Sequence, residues 1–414
     1  MKPPAVPVGA PDSARQRHVK GTDLRATVAL ATQATAGLVD LVEAMHERIA
    51  RLPGWPEPAT AGRTSGITGL VYKTVRGVTT LAGGSIDALL GWLQPVLAGQ
   101  GDALPTPERE AVVAALNGVL GDHLAATGNA LAISMALRSG GRALTLERSA
   151  LAAALPAATP RVLVLLHGLC MNDLQWQRNG HDHGAMLARD AGWTRVDLHY
   201  NTGLPVAENG RQFAALMEQL MEQLLAHWPQ PLERLALLGH SMGGLVARSA
   251  MQAADDAGMT WQRRLQDLVC LGTPHFGAPL ERAGHGIDLL LDATPYSAPL
   301  ARLGKLRSAG ITDLRHGNAW PLPAHVRCHA VAAVLGTQAS SSSGTGTGSG
   351  VGRHMKQQVL GDGLVPLDSA LGRHADPAKT LDFPAERQAV VQGVGHLDLL
   401  CNPEVAAQLL RWLR

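Results

Sequence analysis

Ser241 stands within Gly239-His240-Ser241-Met242-Gly243, a G-x-S-x-G pattern whose hydroxyl could act as a nucleophile. In a chain with 46 glycines the pattern alone is cheap, so its setting decides. The apolar run RLALL leads directly into Gly239, and the amphipathic stretch GGLVARSAMQAA follows. A serine on such a strand-to-helix turn sits on a sharp, strained bend above the sheet. Gly239 and Gly243 flank it because side chains there would collide where strand and helix approach. The helix start also aims N–H groups at the reaction centre, which favours developing negative charge.

A hydroxyl is a poor nucleophile at neutral pH and needs a base. His396, in VQGVGHLDLL, comes just after the apolar run AVV, where a strand would give way to a loop, and reads as that base. Asp362, between Gly361 and Gly363 in GDGLVPLDSA, reads as the carboxylate that orients it and stabilises the imidazolium. Asp368 and Asp398 are rival acids. His374 is a rival base, but it lies in the polar stretch GRHADPAK with no apolar strand before it. The segment LLHGLCMND places His167-Gly168 at a strand end, so the N–H of Leu169 pairs with that of Met242 as an oxyanion hole, with His167 structural. Nearby Asn172, Asp173 and Trp176 adjoin this segment without an assigned role. His181 and His183 in HDHG cannot face the same way on a helix and have no third ligand close by. Asp182 there reads as a helix cap, and neither a metal nor a cofactor is expected.

These residues require a scaffold, and the chain from about residue 142 supplies one. Short apolar runs at 161–168, 194–200, 234–241, 266–274, 326–335 and 387–396 alternate with helix-like stretches. Apolar strands alternating with helices predict an α/β fold, a mainly parallel sheet covered on both faces. The expected organisation is a flexible tail over 1–20, a helical region over 21–140, and an α/β domain over 141–414. Within the last, an apolar helical cap is expected over about 278–320 and a mobile Ser/Gly-rich loop over 337–353, whose composition cannot offset its ordering entropy.

In the helical region, Leu24, Val28, Leu38, Leu41, Met45 and Ile49 recur at helical spacing, as do Val112, Leu116, Leu120 and Leu124. Such stripes mean packing against the rest of the protein, with a membrane-facing role as the alternative. The longest apolar stretch, 80–99, is broken by Asp87, Pro95 and three glycines and is not expected to span a bilayer. The start of the sequence lacks the apolar centre of a signal peptide, which makes the cytoplasm the default location. A formal net charge of +2 and 3% aromatic residues argue against nucleic-acid binding. Four scattered cysteines form no CxxC pair, and Cys270 and Cys328 read as buried thiols.

Taken in order, HGLCMND, GHSMGG, LGTPHFGAP, GDGLVPL and GHLDLL resemble the α/β-hydrolase lipases and esterases, especially the bacterial relatives of GPI inositol-deacylase. The resemblance covers roughly residues 142–414. It implies a serine hydrolase of carboxylic esters with Ser241, Asp362 and His396 as triad and Leu169 and Met242 as oxyanion donors. GTPHFGAP resembles the segment opening the lid of such lipases, and the leucine-rich stretch after it favours lipid or acyl esters. The expected partner is thus a small-molecule ester or lipid, with peripheral membrane contact left open. A thioesterase or acyltransferase with the same triad, or a non-catalytic membrane-associated binding protein, are the alternatives.

Overall fold

The computed structural model describes residues 107–228, 230–278, 308–318, 320–336 and 361–414. The expected tail at 1–20, most of the helical region 21–140, most of the cap and the Ser/Gly-rich loop at 337–353 lie outside the described residues. Helix α1 (Pro107–Ala126) comes first, followed by a hairpin of β1 (Ala136–Ser139) and β2 (Arg142–Ala143). Then come β3 (Arg161–Leu166), α2 (His183–Ala191), β4 (Thr194–His199), α3 (Val206–His227), β5 (Arg234–His240), α4 (Met242–Asp256) and β6 (Leu265–Leu271). The chain ends with α5 (Ala309–His316), β7 (Arg327–Val334), β8 (Gln388–Gln392) and α6 (Pro403–Leu413).

Among the described residues, eight strands make one sheet in the order β2-β1-β4-β3-β5-β6-β7-β8. Pairing is parallel from β4 across to β8, while β1 runs antiparallel to both β2 and β4. All six expected strands are present. Their continuous apolar runs follow from burial on both faces: Val162, Val164 and Leu166 of β3 enter one core, and Leu163 and Leu165 enter the other. The first core is closed by α1, α3 and α4, and the second by α2 and α6. Three of the four cysteines, Cys170, Cys270 and Cys328, are buried as free thiols, whereas Cys401 is only half-buried. Asp182 does cap α2, accepting from the Ala185 N–H at 2.9 Å.

Two features depart from the sequence-based expectation. The sheet starts at Ala136, ahead of the boundary at residue 141, because Gly140 and Gly141 both take positive φ (55° and 79°) and turn a two-residue hairpin. Such short, charge-bearing strands carry almost no apolar alternation. Helix α1, in turn, has no polar face over its middle turns: residues 110–121 are all buried, including Glu110 and Asn117. No described helix is long and apolar enough to cross a membrane.

Candidate active site

Parallel strands deliver their carboxyl ends to one edge of the sheet, where ligand sites of such folds form. Ser241 follows β5 with φ 53° and ψ −121°, a left-handed backbone that a non-glycine residue adopts only under constraint. The constraint is visible on both sides. A Cβ on Gly239 would lie 2.5 Å from the Gly244 nitrogen, and one on Gly243 would lie 2.7 Å from the carbonyl carbon of Leu166. Strand and helix therefore cross closer than any side chain permits. The Ser241 N–H donates to the Leu271 carbonyl at 2.8 Å, tying the bend to the end of β6.

Immediately beyond that carbonyl, Gly272 abuts the imidazole of His396: a Cβ there would meet Cε1 and Nδ1 at 3.1 Å. His396 Nδ1 donates to Asp362 Oδ2 at 2.7 Å, and the His396 N–H donates to the Asp362 carbonyl at 3.1 Å. The other carboxylate oxygen, Oδ1, accepts from the N–H groups of Leu364 (3.0 Å) and Val365 (2.8 Å). Donors on both oxygens hold the Asp362 side chain in place, and its contact with Nδ1 fixes the imidazole proton on that nitrogen. His396 Nε2 is thereby left as the lone-pair nitrogen, buried and without a partner among the described residues. The structure thus brings Ser241, His396 and Asp362 to one place. The rivals are engaged elsewhere: Asp398 is exposed and 3.7 Å from Arg178, Asp368 is 3.8 Å from Arg373, and His374 accepts the Asp376 N–H in a surface loop.

The segment after β3 supplies the facing wall. A Cβ on Gly168 would come within 3.2 Å of the Ser241 Cβ, so the Gly168 turn and the serine bend are in contact. Most N–H groups here are already committed: Cys170 to Thr202 Oγ1 (3.1 Å), Met171 to the Gly168 carbonyl (3.3 Å), and Gly244 to the Ser241 carbonyl (3.2 Å). The N–H groups of Leu169 and Met242 have no acceptor among the described residues, and Met242 is the first residue of α4, where helical N–H groups have no intrahelical partner. Asn172 caps the following turn, and Trp176 is buried edge-on to His240 at 6.4 Å.

Sequence reasoning passed over two residues. His240 is buried, with its ring 4.8 Å from that of His396, and its Nε2–H donates to the His396 carbonyl at 3.2 Å. Burial first, then the neighbouring His396, hold its pKa well below the ordinary histidine range. Thr202 is the other. Neither carries a signal beyond its place next to a motif or a strand end. His167 is held in place from two sides: Nδ1–H donates to the Gly168 carbonyl at 3.0 Å, and its own carbonyl accepts from the Tyr200 hydroxyl at 2.6 Å.

Burial pushes His167 down to about 3 and His183 to about 4. Their folded values lie below the unfolded value near 6.5, so in this window the unfolded chain binds protons that the folded chain does not. Stability is expected to fall as pH drops from about 6.5 towards 4. Melting temperatures recorded across that range should decline, and His167→Gln should flatten the slope. A flat profile in the parent protein would contradict the buried neutral assignment.

Residues 160–317 match the family model of the PGAP1-like alpha/beta domain, a span that holds Ser241 and the Leu169 turn and ends before Asp362 and His396. The chain has a mostly parallel α/β fold, and over that span it resembles the PGAP1-like alpha/beta domain. Solved structures similar to this chain include the mature lipase BlEst2 of Bacillus licheniformis, 17% identical with a TM-score of 0.42, covering 62% of this chain and 93% of that one. The naproxen esterase (carboxylesterase NP) of Bacillus subtilis is 12% identical with a TM-score of 0.33, over 61% and 84% of the two chains. A lipase-esterase related protein from Clostridium acetobutylicum is also 12% identical with a TM-score of 0.34, over 62% and 96%. Likeness at this level concerns the fold alone. No curated protein matches the sequence.

Proposed function

We propose that this α/β-hydrolase cleaves carboxylic esters through an acyl-enzyme. Ser241 Oγ attacks the ester carbonyl while His396 Nε2 takes its proton, and the N–H groups of Leu169 and Met242 hold the oxyanion. Collapse of the tetrahedral intermediate breaks the C–O bond, the alcohol leaving with the proton from His396. Water then attacks the acyl-enzyme by the same route and releases the acid. Asp362 keeps the imidazole in the reactive tautomer. The observation that carries this reading is the pairing of a strained serine bend with an Asp362–His396 hydrogen bond of 2.7 Å. A strained non-glycine backbone costs about 1–3 kcal/mol and persists where its surroundings over-determine it. Lipid or acyl esters are the proposed substrates, on the strength of Ile287, Leu289, Leu290, Leu291 and Leu300 in the sequence after GTPHFGAP.

The test is covalent. A fluorophosphonate should add to the protein with loss of fluoride, and peptide mass analysis should place the adduct on Ser241. Turnover of p-nitrophenyl esters from acetate to palmitate should then rise with chain length. An adduct without ester turnover but with thioester turnover would redirect the reading to a thioesterase. Absence of both adduct and turnover would leave a binding protein.

A further inference from the structure

Resting on the reading of Leu169 as an oxyanion donor, we propose that α1 is a positioning element of the active site and that Gly118 is the residue through which it acts. The turn Gly168–Met171 closes on its own hydrogen bond from the Met171 N–H to the Gly168 carbonyl at 3.3 Å, but that bond alone does not account for its strained middle. Cys170 has a φ of 58°, a conformation that non-glycine side chains disfavour, directly after the residue whose N–H would bind the oxyanion. Three contacts impose it, and each leads back to α1.

The first is direct packing. A Cβ on Gly118 would lie 3.0 Å from the Cys170 Cα and 3.1 Å from its Cβ, and the thiol approaches the Ala115 carbonyl at 3.9 Å. Glycine at 118 lets the helix backbone press onto the turn itself. The second runs through the loop after β4. The Cys170 N–H donates to Thr202 Oγ1 at 3.1 Å, while the neighbouring Asn201 Nδ2 donates to the Gly121 carbonyl at 2.9 Å. A Cβ on Gly203 would fall 2.7 Å from the Gly121 nitrogen, so this loop too rests on the helix backbone. The third holds the far end of the turn. Glu110 of α1 pairs with Arg138 at 2.7 Å, and Arg138 reaches Asp173 at 3.3 Å, where the chain leaves the turn. Burial alone would raise the Asp173 carboxyl, but His199 and Arg138 outweigh it and hold it below the ordinary carboxylate range. The segment from Gly168 to Asp173 is thereby pinned at its middle and its end to a helix some fifty residues earlier in the sequence. The direction of the Leu169 N–H is set by that docking.

The experiment uses the full chain as Gly118→Ala, Thr202→Val and the double variant Gly118→Ala/Cys170→Gly. It records kcat, KM, the melting temperature, and inhibition by an acyl trifluoromethyl ketone. Addition of Ser241 Oγ to that ketone passes the serine proton to His396 and leaves the carbonyl electron pair on oxygen, so its affinity reads the oxyanion hole. Gly118→Ala should lower kcat about 100-fold, the scale of a misplaced oxyanion donor, and weaken the inhibitor in parallel. KM should stay within about twofold, because substrate ground-state contacts are untouched. Thr202→Val should lower kcat about tenfold with the same inhibitor signature. The double variant should recover most of the loss, since glycine accepts φ 58° and has no thiol to collide. If Gly118→Ala does not fold, Thr202→Val decides. Variants that keep kcat, or lose kcat with inhibitor affinity unchanged, overturn the proposal. A parent protein without Ser241-dependent turnover would instead sink the functional reading beneath it.

Discussion

Replacing Ser241 by Ala should lower kcat for a p-nitrophenyl ester by about six orders of magnitude, with little change in melting temperature. In the proposed mechanism the hydroxyl is the atom that forms the new bond, and among the described residues the bend does not depend on it: the backbone bend is imposed by the Gly239 and Gly243 crossings and by the hydrogen bond to Leu271. Asp362→Asn should cost about four orders of magnitude for a different reason. An amide donates as well as accepts, so it stabilises the tautomer with the lone pair on Nδ1 and the proton on Nε2, where a base is needed. The N–H groups of Leu364 and Val365 would still find the side-chain oxygen, so the loop should stay in place. Because the two residues act as one unit, the double variant should be no slower than Ser241→Ala alone. Steady-state kinetics on the three proteins check this; additive losses would mean that Asp362 works elsewhere.

Gly243→Ala should have the largest effect on stability. Its Cβ would be driven against the backbone of Leu166 at the end of β3, with 2.7 Å to the carbonyl carbon, and no flexible side chain is available to yield. Overpacking of this kind costs about 3 kcal/mol or more, and relief would require α4 to move away from the sheet. For a domain of this size that is a melting temperature lower by about 10 °C. Whatever folds should also lose activity, since the start of α4 carries the Met242 N–H. Thermal denaturation followed by circular dichroism checks it, and an unchanged melting temperature would show that the helix can tilt freely. Gly128→Ala makes a useful control, because space around that glycine is open and only its positive φ is strained.

What could be read ahead of the structure was local in the chain. The elbow was legible because strand, turn and helix are consecutive, and the same steric logic that predicts Gly239 and Gly243 reappears as the near-contacts with Gly244 and Leu166. The strands were legible because burial on both faces writes uninterrupted apolar runs. Choosing Asp362 over Asp368 and Asp398 rested on its place between two glycines, and it is the one whose carboxylate meets His396. The hairpin at 136–143 was not legible, since four- and two-residue strands bearing arginines have no periodicity; only the Gly140-Gly141 pair hinted at it. Nor were the roles of Gly118, Asn201 and Thr202, which arise from contacts between segments tens of residues apart. A stripe such as Val112, Leu116, Leu120 and Leu124 announces a buried face but is silent about a helix buried all round.

The burial of three thiols gives the folded protein a built-in clock. Removal from water pushes Cys170 and Cys270 up to about 12 and Cys328 higher still, so none presents thiolate to an alkylating reagent at neutral pH. Native protein therefore exposes one readily modified sulfur, the half-buried Cys401, and later additions count openings of the fold. Cys170 becomes reactive when α1 lifts from the turn it presses on, whereas Cys270 and Cys328, inside the sheet, wait for the strands to part. The order in which masses accumulate on these sulfurs ranks the regions of the molecule by how often they open.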